Sequence, residues 1–452
     1  MHIIIAGDGQ VGSTLTRQLS AEGHDLTLID TENALLESSV EKYDVMGVHG
    51  NCASMGVLRQ AGIMDADLLI AVTSADEVNL LSCSTAHSMN PKLHTIARIR
   101  NPEYMDQVYE MRDTFGLSMV INPEKQAAKE IRNLLQYPGF LKRDIFAKGR
   151  AEIVELRIDD DSKLRNVSLM EMADLVKCRV LVCAVLRDGT AQVPRGNFVL
   201  QEGDRIFVTA PSENIALLLK NLGIISRRVR KAMLCGGGVV TFYLARMLKK
   251  SGIKLHIIEE DYDRCRDLNA LLPDAEVICA DCSDLSVLET EGVEDCDTLV
   301  TLTGRDELNM ILSLYGDGQG VPQIITKLGD VGTLEIIDSL NLGSVICPKE
   351  LCCNNIVRYV RAMQNHTGAA VSVHAIADGQ VEAMEFLVDE NTKNCGVPLK
   401  ELKTKPNVLI ASITRGAQTE IPNGNSTFSQ GDTLVVVTSG RGVIKRINDI
   451  FA

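Results

Sequence analysis

Three glycines, Gly7, Gly9 and Gly12, stand in a G-x-G-x-x-G pattern directly after the apolar run HIIIA and directly before an amphipathic stretch, and Asp30 closes the next apolar run 18 residues beyond Gly12. Residues of these types at this spacing suit one kind of chemistry, the grip on a dinucleotide or adenine nucleotide. The first glycine permits a tight turn, the second lets the backbone approach a pyrophosphate, and the third lets helix and strand pack closely. Backbone N–H groups at the start of the helix then hold phosphate, so the ligand-binding stretch runs through Gly7, Asp8, Gly9, Gln10, Val11 and Gly12. An acidic side chain at Asp30 accepts from both ribose hydroxyls and repels a 2′-phosphate, which favours NAD or ATP/ADP over NADP.

The elements that must position this pattern are given by alternation. Strand-length apolar runs (HIIIAG, DLTLID, DVMGVHG, DLLIAVT, HTIARI) alternate with helix-length amphipathic segments, including helices expected from Ser13, from Met55 to Ala61 and from Asp76. That order is the sign of stacked βαβ units on a parallel sheet. From Ala151 the pattern changes to short strands with Pro/Gly turns (AEIVELRI, VLVCAVLRDG, VPRGNF, DRIFVTAP), which predicts a small α+β lobe ending in a helix over 212–222.

The whole arrangement occurs twice. HIIIAGDGQVGSTLTRQL realigns with KAMLCGGGVVTFYLARML from Lys231, and DADLLIAVTSADEVNLL from Asp65 with DCDTLVTLTGRDELNMIL from Asp295. Gly203-Asp204 matches Gly431-Asp432, and Pro194 matches Pro422. The chain therefore duplicates a unit of about 225 residues. The fold class is α/β, with two Rossmann-like doubly wound parallel sheets, each followed by a small α+β lobe. The expected domains are 1–140, 141–225, 230–365 and 366–452, and the basic run at 226–232 reads as a solvated linker.

The second copy of the fingerprint is altered. Gly236, Gly237 and Gly238 lead into Val239 and Val240, but Thr241 stands where the third glycine belongs, followed by Phe242 and Tyr243; Glu259 occupies the place of Asp30. This predicts a second crevice that binds more weakly or differently. Thr73-Ser74 and Thr303-Gly304 end the fourth strand of each unit, at the sheet edge that faces ligand. Arg98 and Lys327 end the fifth strand, where a cation meets either phosphate or an ordinary salt-bridge partner. Asp76, Glu77 and Asn79 recur as Asp306, Glu307 and Asn309, and serve either as helix caps and first-turn acids or as ligand contacts. Asn51-Cys52 and Asp281-Cys282 follow the third strand, near the expected adenine edge.

Composition removes several classes. A net charge of −14 argues against nucleic acid or an anionic lipid surface as partner, and no apolar stretch approaches a membrane span, so any membrane connection runs through a protein. The start of the chain enters a strand-like run without a basic n-region and cleavage site, which leads to the expectation of a cytoplasmic protein. Thirteen scattered cysteines read as reduced small hydrophobes, and the lone C-x-x-C of Cys279 and Cys282 as structural, with no metal site.

The series GDGQVG, LID, HGN, AVTSADEVN and ARIR, followed by LRDG, VPRGNF and EGD and present in duplicate, resembles the TrkA family of Trk potassium uptake proteins, over essentially the whole chain. Such proteins carry two RCK (regulator of potassium conductance) units in tandem. The resemblance implies a peripheral, non-enzymatic regulatory subunit that binds NAD or ATP/ADP and forms a homo-oligomeric ring on the cytoplasmic face of a TrkH- or TrkG-type membrane subunit. It places nucleotide contacts on Gly7 to Val11, Asp30, Thr73, Ser74 and Arg98, and on Gly236 to Val240, Glu259, Thr303, Gly304 and Lys327. Two other readings stand beside it. An NAD-dependent oxidoreductase would need a substrate domain supplying a proton donor, where this chain has a module of about 75 residues and no His recurring in both halves. A free-standing nucleotide sensor unconnected with potassium fits the same residues.

Overall fold

The computed structural model describes residues 1–136, 140–147, 149–160, 162–222, 229–329, 340–363, 368–377, 379–439, 444 and 446–452. The first unit opens with β1 (His2–Ala6), α1 (Gln10–Ala21), β2 (Asp25–Asp30), α2 (Asn33–Lys42), β3 (Met46–His49), α3 (Met55–Gln60), β4 (Leu68–Ala71), α4 (Asp76–Met89), β5 (His94–Arg98), α5 (Pro102–Glu110), β6 (Met119–Ile121) and α6 (Pro123–Gln136). Its six strands run in the order β3-β2-β1-β4-β5-β6, all parallel. Ile3, Ile4 and Ile5 are wholly buried, as a central parallel strand covered on both faces requires. The chain reverses its direction of winding between β1 and β4, and a crevice opens there at the carboxyl ends of the strands.

The small lobe follows as β7 (Lys142–Phe146), β8 (Ala151–Arg157), α7 (Leu169–Val176), β9 (Leu181–Arg187), β10 (Thr190–Gln192), β11 (Arg205–Pro211) and α8 (Ser212–Leu222). Its antiparallel order is β10-β9-β11-β8-β7. The second unit repeats both parts: β12 (Lys231–Cys235), α9 (Val239–Leu248), β13 (Lys254–Glu259), α10 (Tyr262–Leu271), β14 (Glu276–Cys279), α11 (Leu285–Thr290), β15 (Thr298–Thr301), α12 (Asp306–Gly318), β16 (Gln323–Lys327), β17 (Ser344–Ile346) and α13 (Pro348–Met363), then β18 (Ala370–Ile376), β19 (Val381–Leu387), β20 (Val408–Arg415), β21 (Gln418–Glu420) and β22 (Thr433–Thr438). The parallel order β14-β13-β12-β15-β16-β17 and the antiparallel order β18-β19-β22-β20-β21 reproduce the first unit strand for strand.

Three expectations need correction. Helix α1 starts at Gln10, not Ser13, because Gly9 already acts as its extended N-cap. The strand runs read from Ala151 leave out the opening strand of each small lobe: β7 and β18 carry charged and polar residues among apolar ones and do not read as core strands in isolation. Residues 226–228 of the expected linker lie outside the described residues, while Val229 is buried and Lys231 already belongs to β12, so its second part is core structure rather than a solvated face.

The two units are interlocked. The apolar face of α6, formed by Ala127, Ala128, Ile131, Leu134 and Leu135, packs on the second sheet together with α9 rather than on its own sheet. In exchange, Cys352, Cys353, Ile356, Val357 and Val360 of α13 complete the core beneath α1 in the first unit. Polar contacts follow the exchange: Asn122 Nδ2 donates to the Tyr243 hydroxyl (3.0 Å), Gln323 Nε2 donates to the Leu134 carbonyl (3.1 Å), and Arg361 pairs with Glu22. The small lobes face each other across a shared core that includes Phe146, Ile153 and Phe207 from one and Ile376, Ala383 and Val435 from the other. At the seam the positionally equivalent Asp144 and His374 meet at 2.8 Å.

Candidate functional site

Each crevice is built from the loops after the first, second, fourth and fifth strands. In the first unit Gly7 has φ +98°, and a side chain there would strike the Thr73 backbone at 2.9 Å, so the β1–α1 and β4–α4 loops lie in direct contact. At Gly12 a Cβ would sit 1.8 Å from the Gly7 carbonyl oxygen. Only glycine permits so close an approach of helix to loop. A Cβ at Gly9, by contrast, would meet nothing within 4 Å, which leaves open space at the helix start where a pyrophosphate can come up to the backbone.

Asp30 shapes the loop as well as facing it. Its Oδ2 accepts from the Asp8 amide (2.6 Å) and its Oδ1 from the Glu32 amide (2.9 Å). Each oxygen keeps a second lone pair, enough to accept from a ribose hydroxyl. Asp8 is buried beside it, and burial first, then the Asp30 charge, pushes its pKa up, while the nearby Ser39 hydroxyl works the other way. Gln10 is exposed at the first turn; Val11 turns into the core, so only its backbone amide can serve a ligand.

Thr73 joins this loop to the cation. Its amide and hydroxyl both donate to Asn79 Oδ1 (2.8 Å each), and Asn79 Nδ2 reaches the carbonyls of Thr73 (3.2 Å) and Arg98 (2.9 Å). Asn79 is fully buried, and it is the pin that fixes both loops. Arg98 Nη2 donates to the Thr73 carbonyl (2.7 Å), its Nε is buried without a partner, and among the described residues it forms no ion pair. Burial, with Arg100 adding to it, pushes its pKa down. A desolvated cation held by a carbonyl, one contact away from the glycine loop, is matched by an anion arriving in the crevice. Ser74 is exposed at the rim.

Of the repeated acids, Asp76 is the first residue of α4 and not its cap; its carboxylate accepts from the Arg100 and Asn101 amides (2.8 Å each), and Glu77 accepts from the Tyr104 hydroxyl (2.8 Å). Cys52 and Cys282 are buried in the cores rather than turned toward an adenine.

The second crevice keeps the frame and changes the details. Gly236 (φ +107°) abuts Leu302 and Thr303 as Gly7 abuts Thr73, and Glu259 accepts from the Gly237 amide (2.6 Å) and the Asp261 amide (2.9 Å). Thr303, Asn309 and the Lys327 carbonyl repeat the Asn79 network. Lys327, its pKa pushed down by burial, reaches the Leu302 carbonyl at 3.4 Å. Gly238 and Gly304 are exposed with open space around them, Val239 is half-buried and Val240 is in the core. Thr241 is fully buried and its hydroxyl donates to the Gly236 carbonyl, the counterpart of the Gly7 carbonyl that a Cβ at Gly12 would strike in the first unit. The junction of loop and helix is therefore wider here, and Phe242 and Tyr243 of the same helix are spent on holding α6. A residue the sequence reading passed over is Arg264, whose Nε donates to the Gly237 carbonyl (2.8 Å). The signal was available in the repeat: Leu35 stands there in the first unit.

Duplicated Rossmann-like units with interlocked helices and paired α+β lobes define a class of tandem RCK regulators. The TrkA-N domain model matches residues 3–123 and 232–348, and the TrkA-C domain model matches 153–223 and 383–451. The Trk system potassium uptake protein TrkA homolog of Archaeoglobus fulgidus is 30% identical over 452 residues, covering 100% of both chains. The Trk system potassium uptake protein TrkA of Haemophilus influenzae is 30% identical over 460 residues, covering 100% of this chain and 98% of that protein. Among solved structures, the GsuK RCK domain aligns with TM-score 0.61 and 16% identity over 96% of this chain and 92% of that one. The GsuK channel bound to NAD aligns with TM-score 0.61 and 16% identity, over 97% and 76%. The chain belongs to the TrkA family of Trk potassium uptake proteins, and is a regulatory subunit rather than an enzyme. Among the described residues no helix is long and apolar enough to cross a membrane.

Proposed function

We propose that this protein senses an adenine nucleotide, NAD or ATP/ADP, and passes its binding to a TrkH- or TrkG-type potassium subunit. The fold and the family support a regulatory role, and a relative in fold is a channel described with NAD bound. In this reading the nucleotide contacts are Gly7 to Gly12, Asp30, Thr73, Ser74 and Arg98, with Gly236 to Val240, Glu259, Thr303, Gly304 and Lys327 as the second set. The four lobes span 1–140, 141–225, 230–365 and 366–452, and the protein works as a ring of copies at the cytoplasmic face of the membrane, docked through protein contacts.

The observation that carries the proposal is where the exchanged helices lie. The Cys353 thiol of α13 donates to the Val11 carbonyl in the first turn of α1 (3.7 Å), and Glu124 at the start of α6 pairs with Arg100, two residues beyond Arg98 (2.7 Å). A phosphate that shifts the loop and first turn at 7–12, or the Arg98–Arg100 segment, therefore bears on a helix seated in the opposite unit's core. Interlocked cores shift as bodies rather than deform, so binding biases the angle between units, with a coupling of about 1–3 kcal/mol. Such a switch requires only unequal affinity for two arrangements.

Affinities of Asp30→Ala and Gly9→Asp for ATP, ADP and NAD, measured beside potassium uptake in cells, test the reading. Loss of binding with loss of nucleotide-dependent uptake supports it. Unaltered binding and uptake in both variants defeat it.

A further inference from the structure

The C-x-x-C of the second unit does not pair within itself. Cys282 turns into the core, in the same apolar cluster as Cys235. Cys279, exposed at the end of β14, instead faces the same stretch of backbone, Glu259 to Glu260, as Cys265, which is buried on α10. These two thiols bracket the acidic residue of the second crevice. Cys279 is the register partner of Glu259 across the parallel strands, the Cys265 thiol donates to the Glu259 carbonyl (3.2 Å), and the Cys279 thiol approaches the Glu260 carbonyl (4.0 Å). Cys265 also directly follows Arg264, the residue that holds the Gly237 carbonyl. In the first unit the same two places are taken by Leu36 and His49, so the pair is present at one crevice only.

We propose that Cys265 and Cys279 form a reversible dithiol–disulfide pair, closed by a hydroperoxide, which sets nucleotide affinity at the second crevice. The affinity part rests on the nucleotide reading given above. Exposure and burial divide the roles. The Cys279 sulfur, as thiolate, attacks the near peroxide oxygen; the O–O bond breaks, the thiol's proton goes to the leaving oxygen as water, and Cys279 becomes a sulfenic acid. The Cys265 sulfur then attacks Cys279; the S–S bond forms, the S–O bond breaks, and the departing hydroxide takes the Cys265 proton as a second water. Two thiols lose two electrons and two protons, and hydrogen peroxide is reduced to two waters. Burial, with the neighbouring Cys279 sulfur adding to it, pushes the Cys265 thiol up, so it does not react ahead of its partner.

Closing the bond draws the first turns of α10 toward the end of β14. Arg264 and the Asp261 amide move with that helix, and both bear on the loop through Gly237 and Glu259. Oxidation therefore alters the crevice at its ribose and pyrophosphate ends together.

The test uses the full chain in a Gly9→Asp background, which blocks the first crevice, treated with hydrogen peroxide or left reduced. Peptide mapping by mass spectrometry is expected to show a 265–279 linkage lacking two hydrogens. ADP affinity by calorimetry is expected to change by about 5-fold or more and to return on reduction. Cys279→Ser abolishes both effects, while Cys265→Ser leaves a sulfenic acid at Cys279 that dimedone traps. Oxidation of Cys279 without the linkage, or a linkage with unchanged ADP affinity, overturns the proposal. If the linkage forms and the reduced protein binds no ADP, the nucleotide reading of this crevice has failed, and the switch fails with it for a reason the mapping keeps separate.

Discussion

Gly9 and Gly12 stand three residues apart in one fingerprint, yet the structure gives them opposite consequences. At Gly12 an added methyl falls 1.8 Å from the Gly7 carbonyl oxygen and 2.9 Å from its carbon. That is roughly 1.5 Å inside ordinary van der Waals contact, so in Gly12→Ala the first turn of α1 must move away from the loop. Strain of this kind costs about 1–3 kcal/mol of stability and misplaces the amides at the helix start. At Gly9 the same methyl meets nothing within 4 Å, and the backbone (φ −70°, ψ −164°) suits any residue. Gly9→Ala is therefore expected to keep stability within about 0.5 kcal/mol of the parent, as an exposed substitution does. It nevertheless occupies the space through which a pyrophosphate reaches the backbone. The expected loss is about tenfold or more in ADP or NAD affinity at the first crevice, about 1.4 kcal/mol. Denaturant unfolding and calorimetric titration of the two variants side by side separate the effects. A Gly9→Ala protein that binds like the parent, or a Gly12→Ala protein of parental stability, would refute this account of the loop.

Three further outcomes follow from the exchange and the seam. Ile356→Ala on α13, fully buried in the first unit's core, is expected to cost about 2–5 kcal/mol by denaturant unfolding, and Ile131→Ala on α6 to cost a similar amount in the second. Tyr243→Phe removes the acceptor of the Asn122 amide (3.0 Å); because Asn122 also reaches the Arg100 carbonyl (3.3 Å), the expected loss is only about 0.5–1.5 kcal/mol. Glu130, where α6 meets the small lobes, has its pKa raised to about 7 by burial and by Asp144, against Lys142, Arg143 and Asn133. Raised above its unfolded value, this carboxyl binds a proton more tightly when folded. Its contribution is fully present below about pH 4.5 and is lost as pH rises toward 7. Glu130→Gln should therefore flatten the fall in stability over that window, by about 1–3 kcal/mol, as read from thermal unfolding between pH 5 and 8.

Periodicity and repeat carried the sequence reading where local chemistry decides structure. Runs such as IIIA (3–6) and LLIA (68–71) are apolar throughout because a parallel sheet buries both faces, and glycines 7, 9 and 12 fall, as their spacing predicted, between a strand and a helix. The Thr241 substitution pointed to an altered second crevice, and the structure shows the Thr241 hydroxyl donating to the Gly236 carbonyl at the junction of loop and helix. What stayed hidden was long-range. Nothing in the pattern of α6 or α13 says which sheet its apolar stripe will cover, since both sheets offer similar surfaces. The reading of Asp76 and Asn79 as caps or ligand contacts missed their use as loop ties, because that bonding depends on the position of β5, 19 residues away from Asn79 in the case of Arg98. Strand β7 was missed because Lys142, Arg143 and Asp144 are satisfied by partners in other segments, among them Glu152, Ala375 and His374.

The central claim is that a nucleotide in one unit's crevice acts on a helix belonging to the other. Hydrogen exchange of the full chain, with and without ADP or NAD, in the parent and in Asp30→Ala, tests it most directly. The account requires that ligand change exchange in residues 348–363 of α13 as well as in the loop at 7–12, and that Asp30→Ala abolish both changes. Protection confined to the loop, with α13 unaffected at saturating nucleotide, would contradict it.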